Sequence, residues 1–336
     1  MILVTGGTGL IGSRLLFHLT KNEKYKVRSI YRSEDSLKKI KRIFKNLSDE
    51  GEKQFSRIEW VKADINNIPE LEKAFQGVVF VFHVAGFISF KPTDFDKLIK
   101  INVEGTANIV NLCIDFKIKK LCHVSSIATI TSVDGKILDE NSEWNPEASN
   151  NDYAISKHGG EMEVWRGSQE GLKVLIVNPS VVLGAYFLDS GSGTLFKRLA
   201  NRFPFFPTGG TGFVDVDDVV RAMIALQFSE VENQRFILNG SNQTYQHVMK
   251  TIATHLGVLP PHKKVSHNVL RLLARIDGLL SFLQLKKRTL TLRNADSVSL
   301  VSSYDGSKVS QFIDFHYTDF EESIKNICKQ YPLIHR

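Results

Sequence analysis

The chain is short of cysteine. Cys113, Cys122 and Cys328 are the only three among 336 residues, an odd number with no CxxC spacing. That excludes a disulfide framework and a thiolate zinc site, leaves no metal to be expected, and suits a reducing compartment. Met1-Ile2-Leu3-Val4 runs straight into a glycine cluster with no basic stretch or cleavage site, so no secretory signal is read and a cytoplasmic location is expected. No apolar run has the length and freedom from charge of a membrane span. The most apolar later stretch, residues 269–283, is interrupted by Arg271, Arg275 and Asp277. It reads as an amphipathic helix whose apolar stripe packs on the rest of the protein. Repeats and low-complexity tracts are missing as well. With 42% hydrophobic and 24% charged residues, disordered and collagen-like classes are excluded.

Positive charge is in modest excess, a formal net of +7. The cations fall in small groups: Lys38, Lys39, Lys41 and Arg42; Lys117, Lys119 and Lys120; Lys286, Lys287 and Arg288. No nucleic-acid-reading motif accompanies them. They read as solvated helix faces and as partners of a phosphate-bearing ligand, so no nucleic-acid partner is expected.

The first half alternates short apolar runs with amphipathic ones. Strands are expected at residues 1–4, 25–31, 58–61, 78–84, 120–124 and 172–177, and helices at 10–20, 36–47, 95–113 and 152–167. This rhythm implies an α/β, Rossmann-type doubly wound parallel sheet. After Asn178-Pro179, glycines and prolines punctuate a mainly helical remainder. The division expected is a nucleotide-binding domain at 1–178, with return segments in 212–240, and a smaller substrate-binding region at 179–336.

The run Thr5-Gly6-Gly7-Thr8-Gly9-Leu10-Ile11-Gly12 lies between the first strand and first helix. Glycines there permit a tight turn, bring backbone N–H groups to a pyrophosphate and expose it to the helix's positive dipole end. Nucleotide choice is written where the second strand ends. No acid precedes Glu34 there, and Arg32 offers a guanidinium to a 2′-phosphate, which favours NADP over NAD. Lys39 adds a second cation. Asp64 is placed either to bond the adenine or to cap the next helix. His83 reads as a packed strand-end histidine, and the small residues of Val84-Ala85-Gly86 let the backbone pass close to a ribose.

Tyr153 and Lys157 are spaced i and i+4, so they share a helical face. A phenol with an ordinary pKa of about 10 is a weak acid–base catalyst at neutral pH. A nearby ammonium favours the phenolate and lowers that value. Tyr-x-x-x-Lys alone is common; its weight comes from following a glycine loop and the strand-end pair Ser125-Ser126. All three converge where open parallel sheets bind ligands.

On these motifs the chain resembles the extended short-chain dehydrogenase/reductase superfamily (the NAD-dependent epimerase/dehydratase family), and within it the dihydroflavonol reductase, cinnamoyl-CoA reductase and hydroxysteroid dehydrogenase branch. The resemblance is strong from Met1 to about Val182 and looser beyond. It implies catalysis by Ser126, Tyr153 and Lys157, with Asn102 matching the family's helix-four asparagine. It implies cofactor contacts from Gly6, Thr8, Gly9, Leu10, Ile11 and Gly12, from Arg32 and Lys39, and from Asp64 and Ile65. Val84, Ala85 and Gly86, with Tyr153, Lys157 and Pro179, complete that set. Homodimerisation through the long fourth and fifth helices is a further implication.

One departure bears on substrate. Sugar-nucleotide epimerases and dehydratases usually carry an arginine before the proline and a Tyr-Gly soon after; this chain has Asn178 and then Val181-Val182-Leu183-Gly184. The expected activity is therefore NADPH-dependent interconversion of a carbonyl and an alcohol on a small molecule. Phe87, Phe90, Phe203, Phe205 and Phe206 are candidates for an apolar pocket wall. The alternatives are an epimerase or dehydratase holding NAD tightly, and a non-catalytic NADP-binding redox sensor.

Overall fold

The computed structural model describes residues 1–131, 135–282 and 291–334. Its strands are β1 (Ile2–Thr5), β2 (Val27–Tyr31), β3 (Ile58–Lys62), β4 (Phe80–His83), β5 (Lys120–Val124), β6 (Ile137–Leu138) and β7 (Val174–Pro179), followed by β8 (Val181–Leu183), β9 (Phe205–Pro207), β10 (Gly210–Asp215), β11 (Gln234–Leu238), β12 (Ser241–Thr244), β13 (Lys263–Val265) and β14 (Ser303–Tyr304). Seven of them form one parallel sheet in the order β11-β7-β5-β4-β1-β2-β3. The fold is thus the expected doubly wound α/β type. The chain reverses direction across the sheet between β1 and β4, which opens a crevice at their carboxyl ends.

The strands bury side chains on both faces, and their two-residue period still sorts them. Ile2 and Val4 join one core layer with Phe82, Val124 and Val177; Leu3 joins the other with Val81, Leu121 and Ile176. The covering helices are α1 (Leu10–Leu19), α2 (Glu34–Leu47), α3 (Gly51–Ser56), α4 (Ile68–Phe75), α5 (Phe95–Ile99), α6 (Gly105–Asp115) and α7 (Asp152–Gln169), with α8 (Gly193–Ala200), α9 (Val216–Gln227), α10 (Tyr245–Leu256), α11 (His267–Phe282), α12 (Leu292–Ser297) and α13 (Phe320–Ile334) further on. A π-helical turn at Lys100–Glu104 joins α5 to α6, so the helix expected at 95–113 forms with one widened turn. Asn151 caps α7 by accepting from the Ala154 N–H at 2.9 Å.

Two polar strand residues show why composition alone misplaces side chains. Lys120, read above as part of a solvated group, is 5% exposed. Its ammonium donates to the carbonyls of Ser229 (2.6 Å) and Val231 (2.9 Å) just beyond the α9 C-terminus, and lies 3.4 Å from the Leu226 carbonyl in the last turn of that helix. Arg28 is also buried and donates to the Ala74 and Gln76 carbonyls, both at 2.7 Å.

The second half is interleaved with the first. β11 supplies the seventh strand of the main sheet, but the segment at 212–215, also expected to return there, lies in β10. That strand pairs instead with β8 and β12 in a separate three-stranded sheet. One buried apolar cluster runs from Leu15 and Phe82 through Phe213 to Ile324. Arg14 and His18 of α1 both engage Asp217 of α9, with Arg14 Nε donating at 2.8 Å and the His18 contact at 3.0 Å.

The apolar stripe of α11 does not pack on the rest of the protein as expected. Ala274 and Asp277 face inward, whereas Val269, Leu272, Leu273, Ile276 and Leu279 are exposed. The stretch continues into residues 283–290, which lie outside the described ones together with Lys286, Lys287 and Arg288. No helix among the described residues is long and apolar enough to cross a membrane.

Candidate active site

The glycine turn packs against the end of β4. Gly6 has φ +70°, and a Cβ on it would stand 2.5 Å from the Ala85 nitrogen. A Cβ on Gly12 would meet the Gly6 carbonyl oxygen at 2.1 Å, so both positions are closed to side chains. At Gly9 the nearest such neighbour is 3.4 Å away, leaving room on the outer side of the turn. Gly9 caps α1 without a side-chain hydrogen bond, and no acid lies in the first turn. The helix therefore presents uncapped N–H groups and its positive end to a cradle that fits a pyrophosphate.

Arg32 follows β2 and is mostly exposed, with its guanidinium 3.7 Å from Asp64 beyond β3. Asp64 accepts from the Asn66 N–H at 2.9 Å, a local turn bond rather than a helix cap. Ile65 is buried behind it. Lys39 lies with its ammonium 4.3 Å from the centre of the Phe187 ring, and burial lowers its pKa. A hydrogen-bond chain fixes the strand ends. Thr5 Oγ1 accepts the Val84 and Ala85 N–H groups, each at 3.2 Å, and lies 2.7 Å from His83 Nδ1. His83 Nε2 lies 3.0 Å from Thr106 Oγ1, which donates to the Asn102 carbonyl. The bonding assigns the Nε2–H tautomer to His83.

The catalytic candidates converge beside this crevice. The Tyr153 phenol comes beside the Ser126 hydroxyl; burial raises the phenol above its ordinary value and Ser126 pulls it partly back. Lys157 is 5% exposed and donates to the Val124 carbonyl at 2.8 Å. Burial pushes its ammonium down to about 8, against an upward pull from Glu161. The expected lowering of the Tyr153 phenol by Lys157 is thus not what the structure shows. The ammonium is engaged by a backbone carbonyl, and burial dominates the phenol. A Cβ on Gly86 would lie 3.5 Å from Asn102 Oδ1 and 3.8 Å from Lys157 Nζ, so loop, asparagine and lysine meet.

Asn102 sits in the π-helical turn, a feature frequent at functional sites. Its Oδ1 accepts the Phe87 N–H at 2.7 Å, and its Nδ2 donates to the Phe87 carbonyl and to Ser156 Oγ, both at 2.9 Å. Its amide holds the loop after β4 to α7.

Sequence reasoning missed Glu161, which is 1% exposed. Its Oε2 accepts from Ser125 Oγ (2.6 Å), Thr129 Oγ1 (2.9 Å) and Asn178 Nδ2 (2.9 Å), and Arg235 Nη1 lies 3.4 Å from Oε1. Asn178 also donates to the Ser126 carbonyl at 3.2 Å. The signal was available: Glu161 extends the Tyr153–Lys157 spacing by one further turn.

Beneath Lys157 lie two buried histidines, His83 and His123, with ring centroids 5.1 Å apart. Neither ring nitrogen of His123 has a hydrogen-bond partner among the described residues. Burial, with the charge of Lys157, pushes His83 down to about 3 and His123 well below its ordinary value. Both are neutral in the fold, whereas the unfolded chain protonates each below about pH 6.5. Their neutral burial leaves stability intact above that pH and erodes it as pH falls toward 3, by up to about 1.4 kcal/mol per pH unit for each histidine. His123→Phe should halve this acid slope in denaturant titrations; an unchanged slope would refute a neutral, buried His123.

A cleft of about 330 Å³ opens next to Tyr153, lined by Phe90, Pro92, Asn151, Asp152, Leu292 and Arg293, with Thr291 and Asn294. The Phe90 and Tyr153 rings meet edge to face at 5.7 Å. Of the five phenylalanines expected to wall a pocket, Phe90 does so. Phe203 and Phe205 pack on each other near β13, Phe206 is buried, and Phe87 lies under Lys97.

The sequence model of the "NAD dependent epimerase/dehydratase family" matches residues 2–239. Tetraketide alpha-pyrone reductase 2 of Arabidopsis thaliana is 28% identical over 284 residues, spanning 79% of this chain and 85% of that protein. Anthocyanidin reductase of the same plant is 28% identical over 263 residues, spanning 70% and 74%. Among solved structures, UDP-glucuronic acid 4-epimerase from Bacillus cereus in complex with NAD superposes with a TM-score of 0.76 at 18% identity, covering 100% of this chain and 99% of that one. At that identity the likeness is one of fold.

Proposed function

The chain belongs to the NAD-dependent epimerase/dehydratase family, and from this we propose that it is an NADPH-dependent reductase interconverting a carbonyl and a secondary alcohol on an apolar or aromatic small molecule. The observation that carries the reading is the Tyr153 phenol brought beside the Ser126 hydroxyl next to a cleft, with buried Lys157 one helical turn on. The nicotinamide, when bound, supplies the hydride. Tyr153 delivers the proton to the carbonyl oxygen, and its raised pKa keeps it protonated at neutral pH, the state a reduction requires. Ser126 orients and polarises that oxygen, and Lys157 supplies positive charge beside the site. The open Gly9 side of the turn and the uncapped N–H groups of α1 support a dinucleotide, with Thr8, Leu10 and Ile11 along its path. Exposed Arg32 supports recognition of a 2′-phosphate.

A nucleotide-sugar epimerase on the same fold is the competing reading. Against it stands Asn178, fully buried and bonded to Ser126, Thr129 and Glu161, where such enzymes usually carry an arginine. The retained Tyr153–Lys157 pair speaks against a purely sensory protein.

A fluorescence titration with NADPH and NADH tests the cofactor. NADPH should bind tighter, and Arg32→Ala should weaken it about ten- to a hundredfold while sparing NADH, the worth of one or more charged hydrogen bonds. A preference for NADH, or NAD retained through purification, would favour the epimerase.

A further inference from the structure

The excess positive charge of this chain is concentrated in one segment. Residues 257–298 hold eight of the 43 Lys and Arg residues but only two of the 36 acids, Asp277 and Asp296, leaving a near-balanced 35 and 34 for the remainder. Neither acid is presented freely at the surface: Asp277 is 4% exposed, and Asp296 is engaged by His267 at 2.7 Å and by Arg271 at 3.7 Å.

α11 lies in the middle of this segment with its apolar stripe turned outward. Leu272 is 54% exposed, Ile276 45% and Leu279 59%, and Val269 and Leu273 share the same side. At 100° per residue these five positions cluster on one side of the helix. Inward Ala274 points well away from them, buried Asp277 marks one edge of the stripe one turn from Leu273, and exposed Arg275 borders the other edge beside Leu279. A soluble helix places its apolar stripe inward; here the order is inverted. An outward apolar stripe bordered by arginine, in a segment with an excess of cations, is the pattern of a helix lying in a membrane interface. There the leucines enter the acyl boundary and the guanidinium groups reach back to anionic headgroups.

We propose that α11 docks this protein on the surface of an anionic lipid bilayer, without spanning it. Charge complementarity selects lipid over a second copy of the chain, since two copies would bring like-charged segments together. The docking face adjoins the cleft: α12, which packs on α11, contributes Leu292, Arg293 and Asn294 to its wall, and Asn294 Nδ2 donates to the Phe90 carbonyl at 2.9 Å. The surface stands independently of the reaction assigned above.

The test is flotation of the full-length protein with vesicles of phosphatidylcholine and phosphatidylglycerol in equal parts, and with phosphatidylcholine alone. Binding is expected to the mixed vesicles and to fade as salt is raised. The pair Leu272→Gln with Ile276→Gln, and separately Arg275→Gln, should each lower partitioning about tenfold or more, with circular dichroism and NADPH affinity unchanged. Absence of flotation on mixed vesicles overturns the proposal, as does flotation that survives these substitutions. So does a concentration-dependent dimer that the same substitutions abolish, which would assign the stripe to a second copy.

Discussion

Tyr153→Phe is expected to lower kcat for carbonyl reduction by about a hundredfold to ten-thousandfold, the usual worth of a positioned general acid. NADPH affinity should stay within about twofold of the parent, because one hydroxyl is lost from a ring whose packing is kept. The ring lies edge to face with Phe90 and needs no hydroxyl to hold its place. Only the polar contact with Ser126 goes, and that serine still accepts the Ala128 N–H at 3.1 Å. The loss should therefore fall on the proton-transfer step. Ser126→Ala should lower kcat as well, by less, since a polarising contact is removed and not the proton itself. Parallel losses in kcat and in nucleotide affinity would instead assign Tyr153 a structural role.

Glu161→Ala carries the largest expected cost in stability. Breaking a buried ion pair by removing one partner costs about 3–5 kcal/mol, and here three further donors lose their acceptor. Those donors belong to Ser125, Thr129 and Asn178, around the Ser126 backbone. Glu161→Gln keeps the shape and part of the bonding, so it should fold and report on charge alone. Glu161 pulls the Lys157 ammonium upward, so its neutralisation should move the loss of that charge below the parent's value of about 8. The alkaline limb of kcat/KM should then begin at lower pH. Thermal unfolding separates the two variants, and an alkaline limb that stays in place would detach Glu161 from Lys157.

Much of this was legible in the sequence. The apolar run at 78–84 marked its strand because a parallel strand between two helical layers accepts little else, and the glycine turn declared itself by its place between strand and helix. Tyr153 and Lys157 were readable because i and i+4 on a helix is a local relation. What stayed hidden depended on distant chain. Lys120 looks solvated until the turn after α9 brings the Ser229 and Val231 carbonyls to it. Glu161 looks like one more surface acid until β11 delivers Arg235 and β7 delivers Asn178. The pocket wall was misjudged for Phe203, Phe205 and Phe206 because aromatic content cannot tell a cleft from a packed edge. α11 was readable as amphipathic, but periodicity does not say which way a stripe faces.

The most direct test of the central claim follows NADPH oxidation by the purified protein across aryl ketones, dihydroflavonol-like carbonyl compounds and UDP-sugars, with products quantified. The account predicts that a carbonyl compound is reduced with one alcohol formed per NADPH consumed, and that UDP-sugars are left unchanged. Interconversion of a UDP-sugar with no net consumption of nucleotide would contradict it.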